Sequence, residues 1–221
     1  MDATTTYAPG EREDLIVRAC EESTSTDPLE VFEEVASLPF VRMHGPEHHV
    51  LDGACLLAAY RNAGGKIDLD AALAELTSRG LKMPGAMCGM WGACGSTTSV
   101  GAALSIIEGT GPLTTDESWG GHLAASSRAL LRMAEVGGPR CCKRDAYISL
   151  REGTRYVRDS LGIKLGWHEP RCKFHQRNAQ CLGERCPFSP LPDPRVAHAP
   201  QSERPRGFNE AAGAPPCGQF E

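Results

Sequence analysis

Cysteine spacing carries most of the chemistry in this chain. Seven of its ten cysteines fall in three groups. These are Cys88 and Cys94 in MPGAMCGMWGACGS, adjacent Cys141 and Cys142 in GGPRCCKR, and Cys172, Cys181 and Cys186 in RCKFHQRNAQCLGERCPF. The third group has the spacing C-x8-C-x4-C, with Pro187 directly after the last cysteine. An irregular segment lets three such sulfurs wrap one inorganic centre, which a continuous helix does not. A Cys-Pro step also closes runs of iron–sulfur ligands. His175, three residues after Cys172, offers a C-x2-H half-site for zinc instead. Cys141 or Cys142 is the alternative fourth ligand, and spacing alone does not separate zinc from an iron–sulfur cluster.

Cys141 and Cys142 follow Gly137-Gly138-Pro139 at the expected start of a helix. The positive end of the helix dipole, with Arg140, Lys143 and Arg144, is expected to lower the thiol pKa and favour thiolate. Adjacent helical side chains diverge by about 100°. One of the pair is therefore expected to ligate and the other to react or pack. Cys88 and Cys94 lie among glycines that let the backbone approach a ligand, just before a helix expected to be capped by Ser96. Glu47-His48-His49 opens another helix, where His48, Asp52 and Cys55 share a face at i, i+4 and i+7. A neutral His48 oriented by Asp52, or paired with Glu47, is the expected proton-transfer group.

The elements that must position these groups are helical. Apolar periodicity and caps predict helices over 11–22, 28–38, 46–62, 68–78, 96–108, 119–136 and 141–161. Residues 81–95 read as an irregular loop, and only 163–167 offers a short strand. The expected fold is an all-α compact bundle, with a single Cys-rich domain over 11–188 and an irregular metal-binding segment at its end. Residues 1–10 form an expected flexible start. Residues 189–221, holding seven of the sixteen prolines, form an expected disordered tail in which Cys217 is a spare thiol.

Aromatic residues are only 6% of the chain, so the core must rest on Leu, Ile, Val, Ala and Met. A net charge of −5 gives no footprint for nucleic acid or an anionic membrane. No export signal or apolar run of membrane-spanning length is present in the sequence, so a cytoplasmic location is expected. Reducing conditions there turn ten cysteines toward metal, redox or nucleophilic chemistry rather than structural disulfides.

The strings HGPEHHVLDGACLLAAYRNAG, PGAMCGMWGACGS, GGPRCCKR and NAQCLGERCPF, in that order, resemble an uncharacterised prokaryotic Cys-rich family. It is catalogued as a domain of unknown function, and some members accompany methyltransferase domains. The likeness covers roughly residues 40–188. It implies that Glu47, His48, Cys88, Cys94, Cys141, Cys142, Cys172, Cys181 and Cys186 belong to the family pattern, with His175 less typical of it.

The leading expectation is an iron–sulfur enzyme of small-molecule sulfur chemistry. Cys141, Cys142, Cys172, Cys181 and Cys186 are its metal-ligand candidates for a [4Fe-4S] cluster with an open iron, and Arg140 is a further cofactor-binding candidate. His48, Glu47, Asp52, Cys88 and Cys94 are the catalytic candidates, and a small molecule or a sulfur-donor protein is the partner. Two alternatives remain: a zinc-stabilised helical module acting with a methyltransferase, and a thiol–disulfide redox protein. The last lacks a C-x-x-C in a βαβ setting.

Overall fold

A computed structural model of the protein describes residues 6–191. Most of the expected tail, with Cys217, and the first five residues lie outside the described residues. Eight helices follow one another: α1 (Glu11–Glu22), α2 (Pro28–Val35), α3 (His48–Asn62), α4 (Leu69–Gly80), α5 (Met87–Met90), α6 (Gly95–Glu108), α7 (Ser118–Val136) and α8 (Cys142–Leu161). Among the described residues there is no strand. The 163–167 stretch forms no strand; it is tied to the body by Gly166 N–H donating to the Thr26 carbonyl at 2.9 Å and by buried Leu165.

Local chemistry explains most boundaries. Asp27 accepts from the Leu29 and Glu30 amides and Pro28 follows it, so α2 starts there. Asp68 caps α4 through the Ala71 amide. Gly109 and Gly162 take left-handed conformations that close α6 and α8. Two expectations shift. Helix α2 ends at Val35 rather than Leu38, because tighter turns from Ser37 and Leu38 replace its ladder. The cap residue of α6 is Cys94 rather than Ser96, whose hydroxyl is buried against Ser149 at 3.0 Å.

Helix α3 is the axle of the bundle. It is buried from His48 to Tyr60 and packs against α1, α2, α4, α6 and α8. A helix apolar on all sides belongs inside a core. Its closest approach is to α6, where Gly53 N–H donates to Ser99 Oγ at 2.9 Å. A Cβ on Gly53 would stand 2.5 Å from the Ser99 carbonyl oxygen. Gly53→Ala is therefore expected to lower unfolding stability by about 1–3 kcal/mol through overpacking, measured by urea denaturation.

After α8 the chain runs as an irregular strap over α2 and α8. Its apolar anchors are Phe174 and Phe188, whose rings meet Phe32 and Tyr147 edge-on at 6.5 and 5.2 Å. Its polar anchors are His168 on Asp27 (2.7 Å), Lys173 on Glu33 (2.5 Å) and Arg151 on Glu169 (2.7 Å). Inside the strap, Cys172 N–H donates to the Phe188 carbonyl at 2.8 Å, folding the Cys172–Cys186 stretch back on itself beside the start of α8.

Candidate functional site

The amino terminus of α8 divides two cavities. Cys141, as the cap residue, lines the smaller one, together with Cys172, Cys181, Cys186, His175 and Asn178. Cys142, the first helical residue, lines the larger one, with Cys88, Cys94, His48, His49 and Arg140. The expected divergence of adjacent side chains thus sends the two sulfurs into different chambers.

In the smaller cavity each of four sulfurs meets a backbone amide. Phe174 N–H donates to Cys172 Sγ at 3.4 Å and Gly183 N–H to Cys181 Sγ at 3.3 Å. The Phe188 amide faces Cys186, and the Lys143 and Arg144 amides face Cys141. For the three strap cysteines the donor is always two residues downstream. Amides aimed at sulfur stabilise thiolate and tune iron–sulfur centres. His175 Nδ1 is buried there with no partner. These features fit a thiolate-bound metal centre. Among the described residues, however, no group of three or more His, Cys, Asp or Glu side chains is arranged to hold a metal ion. The four sulfurs surround a common space without gathering at one point. Cys142, one of the expected ligands, is not among them, and Arg140 stands on the rim of the other cavity.

The larger cavity, about 260 Å³, lies between the first turns of α3, α6 and α8. Cys94 Sγ donates toward Asp145 Oδ2 at 3.7 Å, and Asp145 also accepts from Arg144 Nε at 3.1 Å. Burial raises the Asp145 pKa against the pull of Arg144, which makes it a better proton acceptor than an exposed carboxylate. Sequence reasoning missed this pair, because Cys94 and Asp145 are 51 residues apart.

His48 has both ring nitrogens engaged. Nδ1 meets Asp52 Oδ1 at 3.1 Å and Nε2 meets Lys143 Nζ at 3.1 Å. An ammonium can only donate, so Nε2 accepts and the Nδ1–H donates to Asp52. Lys143, fully buried near the rings of Phe32 and Phe174, also donates to the Arg42 carbonyl at 3.1 Å. Burial pulls its pKa down to about 8. His48 is therefore a link in a buried Asp52–His48–Lys143 chain, not a base with a free nitrogen. Glu47 turns away from it. The Glu47 carboxylate holds Arg42 through Nε at 3.0 Å and Nη2 at 2.5 Å; burial alone would raise its pKa, but Arg42 keeps it below the ordinary value.

His44, for which the sequence shows no partner, ties the cavities together. It lines the larger one, and its Nε2 meets Asn178 Oδ1 at 3.1 Å. The Asn178 amide in turn donates to Cys141 Sγ at 3.6 Å. Asn178 is buried in the strap, so nothing in the local sequence marks this role.

The expected lowering of the thiol pKa at the start of α8 does not occur. Burial pushes Cys142 up to about 12 and raises Cys141, outweighing the helix terminus and its basic neighbours. Cys94 is raised by burial and by Asp145, and Cys55, buried beside Cys20, by burial foremost. Without a metal these thiols rest protonated. Their folded pKa values lie above the unfolded value of 9.0, so their contribution to stability is complete below pH 9 and is lost as pH rises toward 12. Each of Cys55, Cys94 and Cys142 is expected to forfeit about 1.4 kcal/mol per pH unit in that window. Lys143 opposes this between about 8 and 10.5, since there its unfolded form binds more protons. Several thiols against one lysine give a net loss, read as a falling urea midpoint between pH 9 and 11 for reduced, metal-free protein.

No helix among the described residues is long and apolar enough to cross a membrane. Comparison with curated proteins and with solved structures finds no match. A family model does match residues 16–189, the span that holds both cavities and every helix from α2 to α8. The chain therefore belongs to the family of unknown function DUF5714.

Proposed function

We propose that the protein is an iron–sulfur-dependent enzyme of small-molecule sulfur chemistry. The observation that carries this is the adjacency of two thiol-lined cavities at Cys141-Cys142, one with four amide-faced sulfurs and one with three thiols beside a carboxylate. Cys141, Cys172, Cys181 and Cys186 would hold a [4Fe-4S] cluster, with His175 beside them. Bound there, such a cluster would supply one-electron chemistry beside the thiols, such as reduction of a sulfur acceptor, and with four sulfurs on the wall it would not depend on the open iron expected from three. The larger cavity handles the sulfur. Cys94 passes its proton to Asp145, and the thiolate attacks the terminal sulfur of a donor R–S–SH. The S–S bond breaks, Cys94–S–SH forms, and R–S⁻ leaves with the proton held by Asp145. Cys142 and Cys88, in the same wall, can accept the sulfur by the same exchange.

The test is reconstitution with iron and sulfide in the absence of oxygen. About four irons per chain and a broad visible absorption that bleaches on reduction are expected. One zinc and no visible band would overturn the proposal in favour of the zinc-stabilised module. One observation favours that second reading. The smaller cavity is only about 20 Å³, room for roughly one water-sized occupant. Against it, no three ligands among the described residues gather as a single ion requires.

A further inference from the structure

We infer that the larger cavity takes a small anion, a carboxylate or a sulfur oxyanion, with Arg140 as its charge partner. This names the substrate class of the site described above, and it rests on that proposed function only for the reaction, not for the binding.

The charged groups of the wall and their partners point this way. Arg42 is matched by Glu47, at 2.5 Å. Arg144 is matched by Asp145, at 3.1 Å. Lys143 is matched by Asp52 through His48, at 3.1 Å on each side. Arg140 lines the same cavity and none of these carboxylates is bonded to it. Of the charged side chains that line the cavity, Arg42 and Asp145 are thus each held by an opposite charge and Arg140 is not, in a chain whose net charge is −5. A guanidinium at the mouth that none of these carboxylates holds is a vacancy for a carboxylate or oxyanion, which its planar fork can grip in two places.

The inner wall is suited to the same guest. His49 is more than nine-tenths buried, lines the cavity, and has Nδ1 without a partner. Burial lowers its pKa, outweighing the Met83 carbonyl beside it, so the ring is neutral; His44 is also kept neutral by burial, but its one N–H goes to Asn178 Oδ1 and is not offered to a guest. Gly95 lets the His49 ring lie flush with the start of α6, since a Cβ there would stand 2.2 Å from His49 Nε2. Helices α3, α6 and α8, each of fourteen residues or more, all begin at this wall, and their aligned dipoles favour negative charge there. A volume of about 260 Å³ suits a compact molecule rather than a nucleotide.

The test is calorimetric titration of reduced protein, as purified, with mercaptoacetate, thiosulfate and uncharged 2-mercaptoethanol, with iron content recorded on the same samples. Saturable binding of at least one anion and none of the neutral thiol is expected. Whichever anion binds tells carboxylate from oxyanion. Arg140→Glu, at an exposed position, should weaken binding on the order of tenfold or more. Arg140→Lys, which keeps the charge but not the fork, should bind more weakly than the native chain and more tightly than Arg140→Glu, and Arg18→Glu on the outer face of α1 should change nothing. Absence of binding by both anions, equal binding of 2-mercaptoethanol, or unchanged affinity in Arg140→Glu overturns the inference. Iron uptake on reconstitution without anion binding sinks this inference alone; anion binding by protein that takes up no iron on reconstitution sinks only the proposed cluster.

Discussion

Cys141→Ser protein, reconstituted with iron and sulfide, is expected to lose most of its visible absorption, while Cys142→Ser keeps it. The two residues are identical neighbours in sequence and each variant exchanges one thiol for a hydroxyl, so the two variants have the same composition; serine is moreover a favourable residue at the cap position held by Cys141, so its effect is not loss of the helix start. Only the chamber differs. Cys141 Sγ shares its cavity with Cys172, Cys181 and Cys186 and receives the Asn178 amide. A serine there removes one of four ligands, and a cluster left with three is more easily lost. Cys142 faces Cys94 and His48 instead, so its replacement should spare iron and lower sulfur handling. Iron content and cyanide-releasable sulfur, measured on both variants, check the pair. Equal iron loss in both would mean that the division of the two sulfurs does not matter for the cluster.

Asp145→Asn is expected to slow persulfide formation at Cys94 by about 10²–10⁴, the usual reach of a positioned proton acceptor. The amide keeps the size of the carboxylate and can still accept from Arg144, so iron content and fold should survive. What it cannot do is take the Cys94 proton, and that thiol is held protonated by burial and by the nearby negative charge. The pH profile adds a second check. In the native chain the base must be ionised, and burial raises its pKa, so the rate should climb with pH through that raised value. In Asp145→Asn this limb should vanish. Unchanged rates in the variant would move the proton acceptor elsewhere in the cavity.

Much of the fold was legible because its signals are local. Asp27-Pro28 and Asp68 announce helix starts by chemistry within three residues, and the glycines after α6 and α8 announce their ends. The four-sulfur cavity was half legible. The C-x8-C-x4-C strap was visible, but the choice of Cys141 over Cys142 depends on which way the first turn of α8 faces. The thiol pKa values were misread for a physical reason. Basic neighbours and helix termini can be seen in sequence, whereas desolvation is set by what packs on top, and here it is the larger influence. Lys143, read as one of the cations that lower the thiol pKa, has another place in the fold. It sits near two aromatic rings and occupies the nitrogen that His48 needs for proton transfer, a placement set by packing that its neighbours in sequence do not show. Glu47, read as a partner of His48, was claimed by Arg42, five residues earlier.

The Cys141-Cys142 peptide sits in the partition between the chambers, and that fixes how the chain can vary there. Inserting one residue between the two would swing the second sulfur a further turn of about 100° around α8, out of its compartment. Removing one would leave a single thiol to serve two rooms. The count of backbone atoms between these two sulfurs is a fixed dimension of the molecule, like the thickness of a shared wall.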